Sequence, residues 1–393
     1  MVEHPCSFDG VVWGRLSPPS DTAVAPSADP SGGSELRPTS AVPYTPGVSL
    51  RNYRTGDDGI DAAIEELAQA TGRRDDLDMI SELLVSAVRL AREGVGRGDL
   101  KLVNSALKEL RHAFSVFEPY RTVRKATVFG SARIAEGDPA YAAARDFGAA
   151  MAAHDWMVMT GAGPGIMAAG LEGAGRDRSF GINIQLPFEA EANEFILDDP
   201  KLVNFKYFFT RKVTFMRESH GYALLPGGFG TMDEAFELLT LMQTGKTHLA
   251  PVVLLDPPGD TYWSHWTEFI QAELVARNLV SPHDLSLIHA TDDPRAAAEH
   301  VRDFYRTYHS MRYVGRHLVL RLEREVDDAE VATLNEEFGD LLVDGHIERC
   351  ETTSHELRDD DEVARPRLRL HFDRRSHARL RQLIDALNDA TPD

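Results

Sequence analysis

The sequence predicts an α/β fold, a doubly wound parallel sheet with helices on both faces. From about residue 125 to residue 310, short apolar runs alternate with amphipathic stretches. A strand, a helix and a second strand at this spacing form a right-handed crossover, and repeated crossovers build a parallel sheet that is buried on both faces. Three of the predicted strands also end in glycine-rich turns. Ligands of such sheets bind at the carboxyl ends of the strands.

Composition and periodicity divide the chain into four segments. Residues 1–50 are rich in Pro, Ser, Ala and Gly and predict a disordered tail, because they bury too little apolar area to offset the entropy of ordering. Residues 51–122 predict a helical lead-in, residues 123–312 the α/β domain, and residues 313–393 a small α+β domain. The lead-in carries an apolar stripe at helical spacing that would pack against the larger domain or a second subunit. That stripe consists of Val103, Leu107, Leu110, Phe114 and Phe117.

The composition is that of a soluble globular protein, with 42% apolar and 26% charged residues. Its 62 acidic and 42 basic side chains give a formal charge of −20, which argues against a nucleic-acid binder, since binding to phosphates needs a basic face. The chain has two cysteines, Cys6 and Cys350, so a disulfide framework is excluded and a reducing compartment is favoured. We find no signal peptide and no apolar stretch near the ~20 residues that span a bilayer, and therefore expect a cytoplasmic protein with no membrane partner.

Six strands are predicted in the α/β domain, and helical patterns such as 139–154 and 231–242 lie between them. The strands are Ala126–Phe129, Met157–Thr160, Phe180–Gln185, Tyr222–Leu225, Val252–Asp256 and Ser286–His289. In the C-terminal segment, alternating leucines predict strands near residues 318–322 and 368–372, and helical spacing predicts helices near 331–341 and 380–387. The acidic run 358–362 reads as a solvated loop between strands.

The three glycine-rich turns predict a site for an anionic ligand. They contain Gly130-Ser131, residues 160–167 and residues 225–234. Glycine lets backbone N–H groups approach a ligand, and a following helix contributes the positive end of its dipole. Three such turns at one edge of a sheet point to a nucleotide or a sugar phosphate. The spacing matches neither a P-loop nor a dinucleotide fingerprint, so a conventional NAD site is not expected.

Charged side chains flank the third turn. The segment 210–217 reads as a helix that carries Arg211 and Lys212, and Glu234 follows the turn. One interpretation is purely structural: Thr231 would be an N-cap, Glu234 would complete a capping box, and the two cations would form a solvated helix end. However, the two charged segments bracket the predicted strand 222–225. The fold should therefore bring an Arg/Lys pair close to a carboxylate beside an anion-binding turn.

On these residues the chain resembles the LOG family, named for cytokinin-activating phosphoribohydrolases and long labelled as lysine decarboxylases. The resemblance spans about residues 126–300 and depends on Pro-Gly-Gly-x-Gly-Thr-x-x-Glu, met by Pro226 to Glu234, and on the upstream Arg211-Lys212. The second turn departs from the all-glycine run that is frequent in the family. The lead-in and the C-terminal domain are similar to those of the long bacterial nucleotide 5′-monophosphate nucleosidases.

The resemblance implies a Rossmann-like domain that hydrolyses the N-glycosidic bond of a nucleoside 5′-monophosphate to free base and ribose 5-phosphate. Glu234 would stabilise the oxocarbenium-like state and activate or position water, and Arg211 would polarise the leaving base or align substrate and carboxylate. Lys212 would either attract phosphate or be a surface lysine. The phosphate would be held by the N–H groups of Gly227, Gly228, Phe229 and Gly230 with the Thr231 hydroxyl. The ribose or base side would be lined by Ser131, Gly161, Gly163 and Gly165.

Two other functions compete with this hypothesis. A pyridoxal phosphate enzyme needs a Schiff-base lysine and a partner for the pyridine nitrogen; Lys212 is the one well-placed lysine, and no partner is evident. A catalytically silent nucleotide sensor would need phosphate contacts but no carboxylate at the glycosidic bond, so Arg211 and Glu234 together favour an enzyme.

No metal and no cofactor are expected, because the histidines lack the spacing of a metal site. The resemblance implies a homo-oligomer, for which the lead-in supplies apolar surface. The C-terminal domain is a candidate regulatory domain by its position.

Overall fold

A computed structural model of the protein describes residues 53–73, 75–185 and 192–390. The tail predicted over residues 1–50 lies outside these ranges. The chain divides into two compact units, one ending at Arg92 and the other beginning at Glu93. In the first unit, helices α1 (Asp58–Ala70) and α2 (Leu77–Arg92) pack on each other. The carboxylate of Asp57 accepts hydrogen bonds from the first N–H groups of α1 and thereby caps that helix.

The second unit begins with a long helix, α3 (Arg97–Phe117), and continues into the predicted α/β domain. The domain consists of β1 (Lys125–Phe129), α4 (Pro139–Ala153), β2 (Met157–Thr160), α5 (Ile166–Ala174), β3 (Ser179–Ile184), β4 (Leu202–Phe205), α6 (Phe208–Glu218), β5 (Gly221–Leu224), α7 (Phe229–Gln243), β6 (Val252–Leu255), α8 (Tyr262–Phe269), β7 (Ile288–Thr291) and α9 (Pro294–Asp303). Seven parallel strands lie in the order β4-β3-β2-β1-β5-β6-β7. The doubly wound parallel sheet is thereby confirmed.

Two apolar layers cover the sheet, one on each face. On one face Val128 of β1 packs in a cluster with Phe147 of α4. On the other face Phe215 of α6 joins Tyr222 and Leu224 of β5. Every residue of β1, β2, β5 and β6 is buried, which explains why their sequences are apolar runs rather than alternating patterns.

Five of the six strands predicted in the α/β domain are found to within one residue at each end, and two larger differences remain. The last one begins at Ile288 rather than Ser286, because residues 282–287 form 3₁₀ turns that Ser281 caps. The strand β4 was not predicted. It is four residues long and lies at the edge of the sheet, where Asn204 is exposed, so its sequence lacks the apolar run of a central strand.

The C-terminal part of the unit is a small α+β domain, as predicted. It consists of β8 (Tyr308–Val314), β9 (His317–Leu322), α10 (Asp328–Phe338), β10 (Leu342–Arg349), α11 (Ser354–Asp359), β11 (Arg367–Phe372) and α12 (His377–Asp389). The strands form an antiparallel sheet in the order β10-β11-β9-β8.

Ion pairs hold the acidic run of this domain in place, contrary to the expectation of a solvated loop. Asp361 accepts hydrogen bonds from Arg312 at 2.7 Å and from Arg321 at 2.6 Å. The same Arg321 donates through Nε to the fully buried Glu356 at 2.9 Å, and Arg367 pairs with the other side of that carboxylate. A buried carboxylate needs such partners, because an unpaired charge in the interior is strongly destabilising.

The final helix, α12, is bonded to the α/β domain through Asn388. Its side-chain oxygen accepts hydrogen bonds from the N–H groups of Thr307 at 2.8 Å and Tyr308 at 3.1 Å. Its amide nitrogen donates to the carbonyl of Phe304 at 2.7 Å. One side chain of the last helix thus satisfies three backbone groups where α9 ends and β8 begins.

We expect Asn388→Ala to lower the free energy of unfolding by about 3 kcal/mol, because the three hydrogen bonds that its side chain makes to buried backbone groups would be lost. Urea denaturation followed by circular dichroism measures the effect. Asp389→Ala, at the exposed neighbouring position, is the matched control and should change stability by less than about 0.5 kcal/mol. Equal stabilities of Asn388→Ala and the unmodified protein would contradict the structural role of this side chain.

Candidate active site

Hydrogen bonds join the three glycine-rich turns at the carboxyl edge of the sheet. The N–H of Ser131 in the first turn donates to the carbonyl of Pro226 in the third, at 3.1 Å. The N–H of Ile166 after the second turn donates to the carbonyl of Ser131, also at 3.1 Å. A Cβ at Gly130 would overlap Ile166, and a Cβ at Gly165 would overlap the carbonyl of Ser131. The turns therefore form one continuous surface.

The third turn leads directly into α7. This helix begins at Phe229 with Gly228 as its N-cap, so Thr231 is its third residue. The interpretation of Thr231 as an N-cap in a capping box with Glu234 is therefore wrong. Gly228, Phe229 and Gly230 are exposed, and the first N–H groups of a helix have no partner within it. This helix start is open to solvent, and such an end is suited to bind an anion.

Glu234 lies buried one turn further along α7. Its residue is 7% exposed, and its Oε2 atom has no hydrogen-bond partner among the described residues. Burial raises the pKa of this carboxyl to about 7, against the opposing charges of Lys212 and Arg211. A buried, unpartnered carboxyl that titrates near neutral pH is costly for stability and suited to accept or donate a proton.

Arg211 reaches the same place from α6. Its Nε donates to the carbonyl of Ile182, at the end of β3, at 2.8 Å. Its Nη2 lies 2.2 Å from the position that a Cβ would take if Gly161 were any other residue, closer than two such atoms can approach. The guanidinium is therefore fixed between β3 and the second turn, and its charge acts on the Glu234 carboxyl. The predicted meeting of an arginine and a carboxylate beside an anion-binding turn agrees with this geometry.

The start of α6 is held by a carboxylate of α3 that sequence reasoning missed. The hydroxyl of Thr210 donates to Glu109 at 2.6 Å, and the N–H of Lys206 donates to the other oxygen of Glu109 at 3.2 Å. These bonds fix the helix turn that carries Arg211. The sequence pattern gave no indication of this contact, because an acidic residue on an amphipathic helix is ordinary.

Lys212 lies against α7. This arrangement differs from both interpretations drawn from the sequence, a phosphate-attracting lysine and a surface lysine. Its Nζ lies 2.7 Å from a carboxylate oxygen of Asp233 and 2.5 Å from one of Glu237. Burial disfavours its charge, but the hydrogen bonds to these two carboxylates raise its pKa above the usual value. Lys212 is therefore a cation that joins α6 to α7 on either side of Glu234.

The second turn has a strained backbone. Ala162 is buried with a φ of 62°, a conformation that costs a residue with a Cβ about 1 kcal/mol or more. Asn193 holds the turn, since its N–H donates to the carbonyl of Ala162 and its side chain donates to the carbonyl of Gly163, both at 2.8 Å. Gly165 also has a positive φ, of 67°. Both this conformation and the close approach of the first turn require glycine at the position.

Two further residues that the sequence did not reveal support the third turn. The hydroxyl of Tyr262 in α8 donates to the carbonyl of Gly227 at 2.5 Å. The carboxylate of Asp256, directly after β6, accepts from the N–H of Trp263 at 3.1 Å and so holds the start of α8. The sequence did offer one indication for Asp256, which is an acidic residue at the carboxyl end of a predicted strand.

The described residues include no cluster of three or more His, Cys, Asp or Glu side chains arranged to hold a metal ion. Among the helices in the described ranges, none has the length and apolar character to cross a membrane.

Known proteins resemble this chain over the α/β domain. Residues 160–301 match the family model described as possible lysine decarboxylase. A probable cytokinin riboside 5′-monophosphate phosphoribohydrolase, LOGL3 of Oryza sativa subsp. japonica, is 38% identical over 72 residues, which are 18% of this chain and 32% of that protein. This chain thus matches about a third of the length of that curated relative.

Solved structures also resemble this chain, over 45–46% of its length. The molybdenum cofactor carrier protein of Chlamydomonas reinhardtii is 21% identical with a TM-score of 0.31, over 45% of this chain and 93% of its own. The molybdenum cofactor binding protein of Rippkaea orientalis is 18% identical with a TM-score of 0.33, over 46% and 94%. The structure of TM1055 is 20% identical with a TM-score of 0.34, over 45% and 97%.

Proposed function

Because its α/β domain belongs to the LOG family, we propose that this protein hydrolyses the N-glycosidic bond of a nucleoside 5′-monophosphate. The products are the free base and ribose 5-phosphate. The observation that carries the proposal is the buried carboxyl of Glu234, one oxygen of which has no hydrogen-bond partner among the described residues. It lies close to the open start of α7 and interacts electrostatically with Arg211. The name of the rice relative, a phosphoribohydrolase of a riboside 5′-monophosphate, supports this reaction class.

The start of α7 holds the 5′-phosphate in this proposal. The N–H groups of Gly228, Phe229 and Gly230 are at the exposed end of the helix, where the helix dipole also favours an anion. The hydroxyl of Thr231 supplies a further donor. Anchoring the phosphate there leaves the ribose to extend toward the second turn, so that its C1′ comes close to Glu234.

Glu234 and Arg211 perform the chemistry at C1′. As the bond from C1′ to the base nitrogen breaks, its electron pair goes to the base, and the carboxylate of Glu234 stabilises the oxocarbenium-like sugar. Water attacks C1′ and gives one proton to Glu234, which passes it to the departing base. Arg211 donates hydrogen bonds to the base as negative charge develops there. The carboxyl returns to its starting state, and one water is consumed for each bond broken.

The family model is described as possible lysine decarboxylase, and the geometry at Lys212 argues against such an activity through pyridoxal phosphate. A Schiff-base lysine must lose its proton to react, and active sites lower its pKa for that purpose. Lys212 is instead paired with Asp233 and Glu237, and its pKa is raised.

Incubation with AMP, GMP, CMP and UMP, followed by chromatography of the released bases, tests the proposed reaction. We expect free base and ribose 5-phosphate in equal amounts from at least one nucleotide. Binding of a nucleotide without release of base from any of the four would favour the alternative, a nucleotide sensor that does not cleave its ligand. Neither binding nor cleavage would contradict both functions.

We also propose that the protein forms a homo-oligomer, as the family resemblance implies. Helix α6 exposes three large apolar side chains, Phe208, Phe209 and Val213, and a surface of this kind is typical of protein interfaces. Light scattering should give a mass of at least twice the 43.6 kDa of one chain. Val213→Asp should reduce that mass, whereas Val343→Asp, an exposed valine of the C-terminal domain, should not. A monomeric unmodified protein would contradict this proposal.

A further inference from the structure

Tyr262 contacts the third turn at a single backbone atom. Its hydroxyl donates to the carbonyl of Gly227 at 2.5 Å. Burial raises the pKa of this hydroxyl above its usual value, so it keeps its proton and donates. Gly227 also lies close to Thr231, because a Cβ on it would overlap Oγ1 of that residue. The peptide that links Gly227 to Gly228 is therefore fixed at its carbonyl end.

The orientation of that carbonyl decides where the next N–H points. The peptide is planar and trans, and in such a unit the C=O and the following N–H point in opposite directions. A carbonyl of Gly227 that faces Tyr262 therefore turns the N–H of Gly228 away from Tyr262. Gly228 is the N-cap of α7, so this N–H belongs to the open start of the helix. Glycine at both positions leaves the peptide free to rotate when nothing holds it.

The ring of Tyr262 is itself anchored. It packs edge-on against Trp263 with 4.9 Å between ring centroids, and Trp263 is almost completely buried. The carboxylate of Asp256 accepts from the N–H of Trp263 at 3.1 Å and is itself buried at the end of β6. The hydroxyl thus stands on a rigid support that joins β6, α8 and the turn after β5.

We propose that Tyr262 is a positioning residue, which orients the Gly227–Gly228 peptide so that the start of α7 binds the phosphate of the substrate. The inference rests on the proposed function in that it takes a phosphorylated ribose as ligand. It adds a residue from outside the glycine-rich turns to the binding site. It also separates binding from chemistry, because Tyr262 acts on the phosphate end and leaves Glu234 and Arg211 in place.

Tyr262→Phe removes the hydroxyl and keeps the ring. We expect the Kd of ribose 5-phosphate, measured by calorimetry, to rise about tenfold, as for the loss of one hydrogen bond. The KM for the nucleotide should rise by a similar factor, while kcat changes less than about threefold. A general loss of folding would instead lower the active fraction and with it the apparent kcat.

Tyr305→Phe is the matched control. The hydroxyl of Tyr305 also donates to a backbone carbonyl, that of His220 at 2.7 Å, but just before β5 at the opposite edge of the sheet. This variant loses a comparable buried bond and should keep the Kd and KM of the unmodified protein. Thermal denaturation of both variants shows whether their stabilities are similar.

The outcomes separate this inference from the proposed function. If the unmodified protein binds ribose 5-phosphate and releases base, an unchanged Kd in Tyr262→Phe overturns the role of Tyr262 and leaves the function intact. If it binds ribose 5-phosphate without releasing base, the hydrolase proposal fails, and a tenfold weaker Kd in Tyr262→Phe still supports the inference. Equal losses of affinity in Tyr262→Phe and Tyr305→Phe, or no binding by the unmodified protein, would overturn it.

Discussion

Replacing Glu234 by Gln is expected to lower kcat by a factor of ~10²–10⁴, the usual contribution of a residue in acid–base catalysis. The amide keeps the size of the side chain but neither accepts the proton of the attacking water nor passes it to the base. In the unmodified protein, kcat should fall as the pH decreases below about 7, because the carboxyl of Glu234, whose pKa is about 7, becomes protonated. The residual rate of Glu234→Gln should not show this dependence.

The same substitution should stabilise the protein at high pH. The pKa of Glu234 is about 7 in the folded state and 4.5 as its ordinary value, so between these values the folded protein binds more protons than the unfolded chain. Its stability therefore falls as the pH rises through this window. Glutamine has no such titration. Between pH 5 and pH 8, the unfolding free energy of Glu234→Gln should rise relative to that of the unmodified protein by about 2 kcal/mol.

Urea denaturation at several pH values, together with the base-release assay, measures both effects. Glu237→Gln is the matched control, since Glu237 lies one turn further along α7 and also pairs with Lys212. It should keep kcat within about tenfold. Near-normal turnover by Glu234→Gln would remove this carboxyl from the mechanism, and a pH-independent difference in stability would show that it is not a buried acid.

Replacing Gly161 by Ala should lower kcat by about 10²-fold, although the substitution adds one methyl group. The added Cβ would overlap Nη2 of Arg211 and the sulfur of Met167. Gly161 does not have a positive φ, so the backbone tolerates alanine and the effect is steric. Displacing a catalytic group by about 1 Å costs a rate factor of this size.

The double variant Gly161→Ala with Met167→Ala separates the two contacts. It removes the sulfur and leaves the overlap with Arg211, so kcat should stay low. Gly137→Ala serves as the control, because a Cβ there meets nothing within 4 Å, and its kcat should be normal. A kcat of Gly161→Ala within threefold of the unmodified protein would show that the position of the guanidinium is not critical.

The sequence was sufficient to predict the architecture because its apolar runs, its helical patterns and its glycine-rich turns all indicate the same parallel sheet. Short apolar runs such as Met157–Thr160, alternating with amphipathic helical patterns, are typical of central strands, and turns that follow parallel strands must meet at one edge of the sheet. The hydrogen bonds that join Ser131 to Pro226 and to Ile166 show that the three turns meet at that edge.

The remaining parts of the site depend on contacts that leave no local pattern. Tyr262 lies 35 residues from the carbonyl that it holds, and a Tyr-Trp pair at a helix start reads as core. The capping-box interpretation of Thr231 failed because the N-cap of α7 is Gly228, three residues earlier. The pairing of Lys212 with two carboxylates of α7 depends on how two helices lie side by side, which spacing within one helix does not reveal.

The bond between Asn388 and the N–H of Thr307 spans 81 residues, and this separation has a consequence for synthesis. When the ribosome has released α9 and the start of β8, Asn388 is not yet available to the backbone groups that it contacts in the folded protein. They stay hydrated until about eighty more residues have been translated and the last helix can dock. Contacts of such long range slow folding. The nascent α/β domain therefore completes its fold only after the small domain has left the exit tunnel.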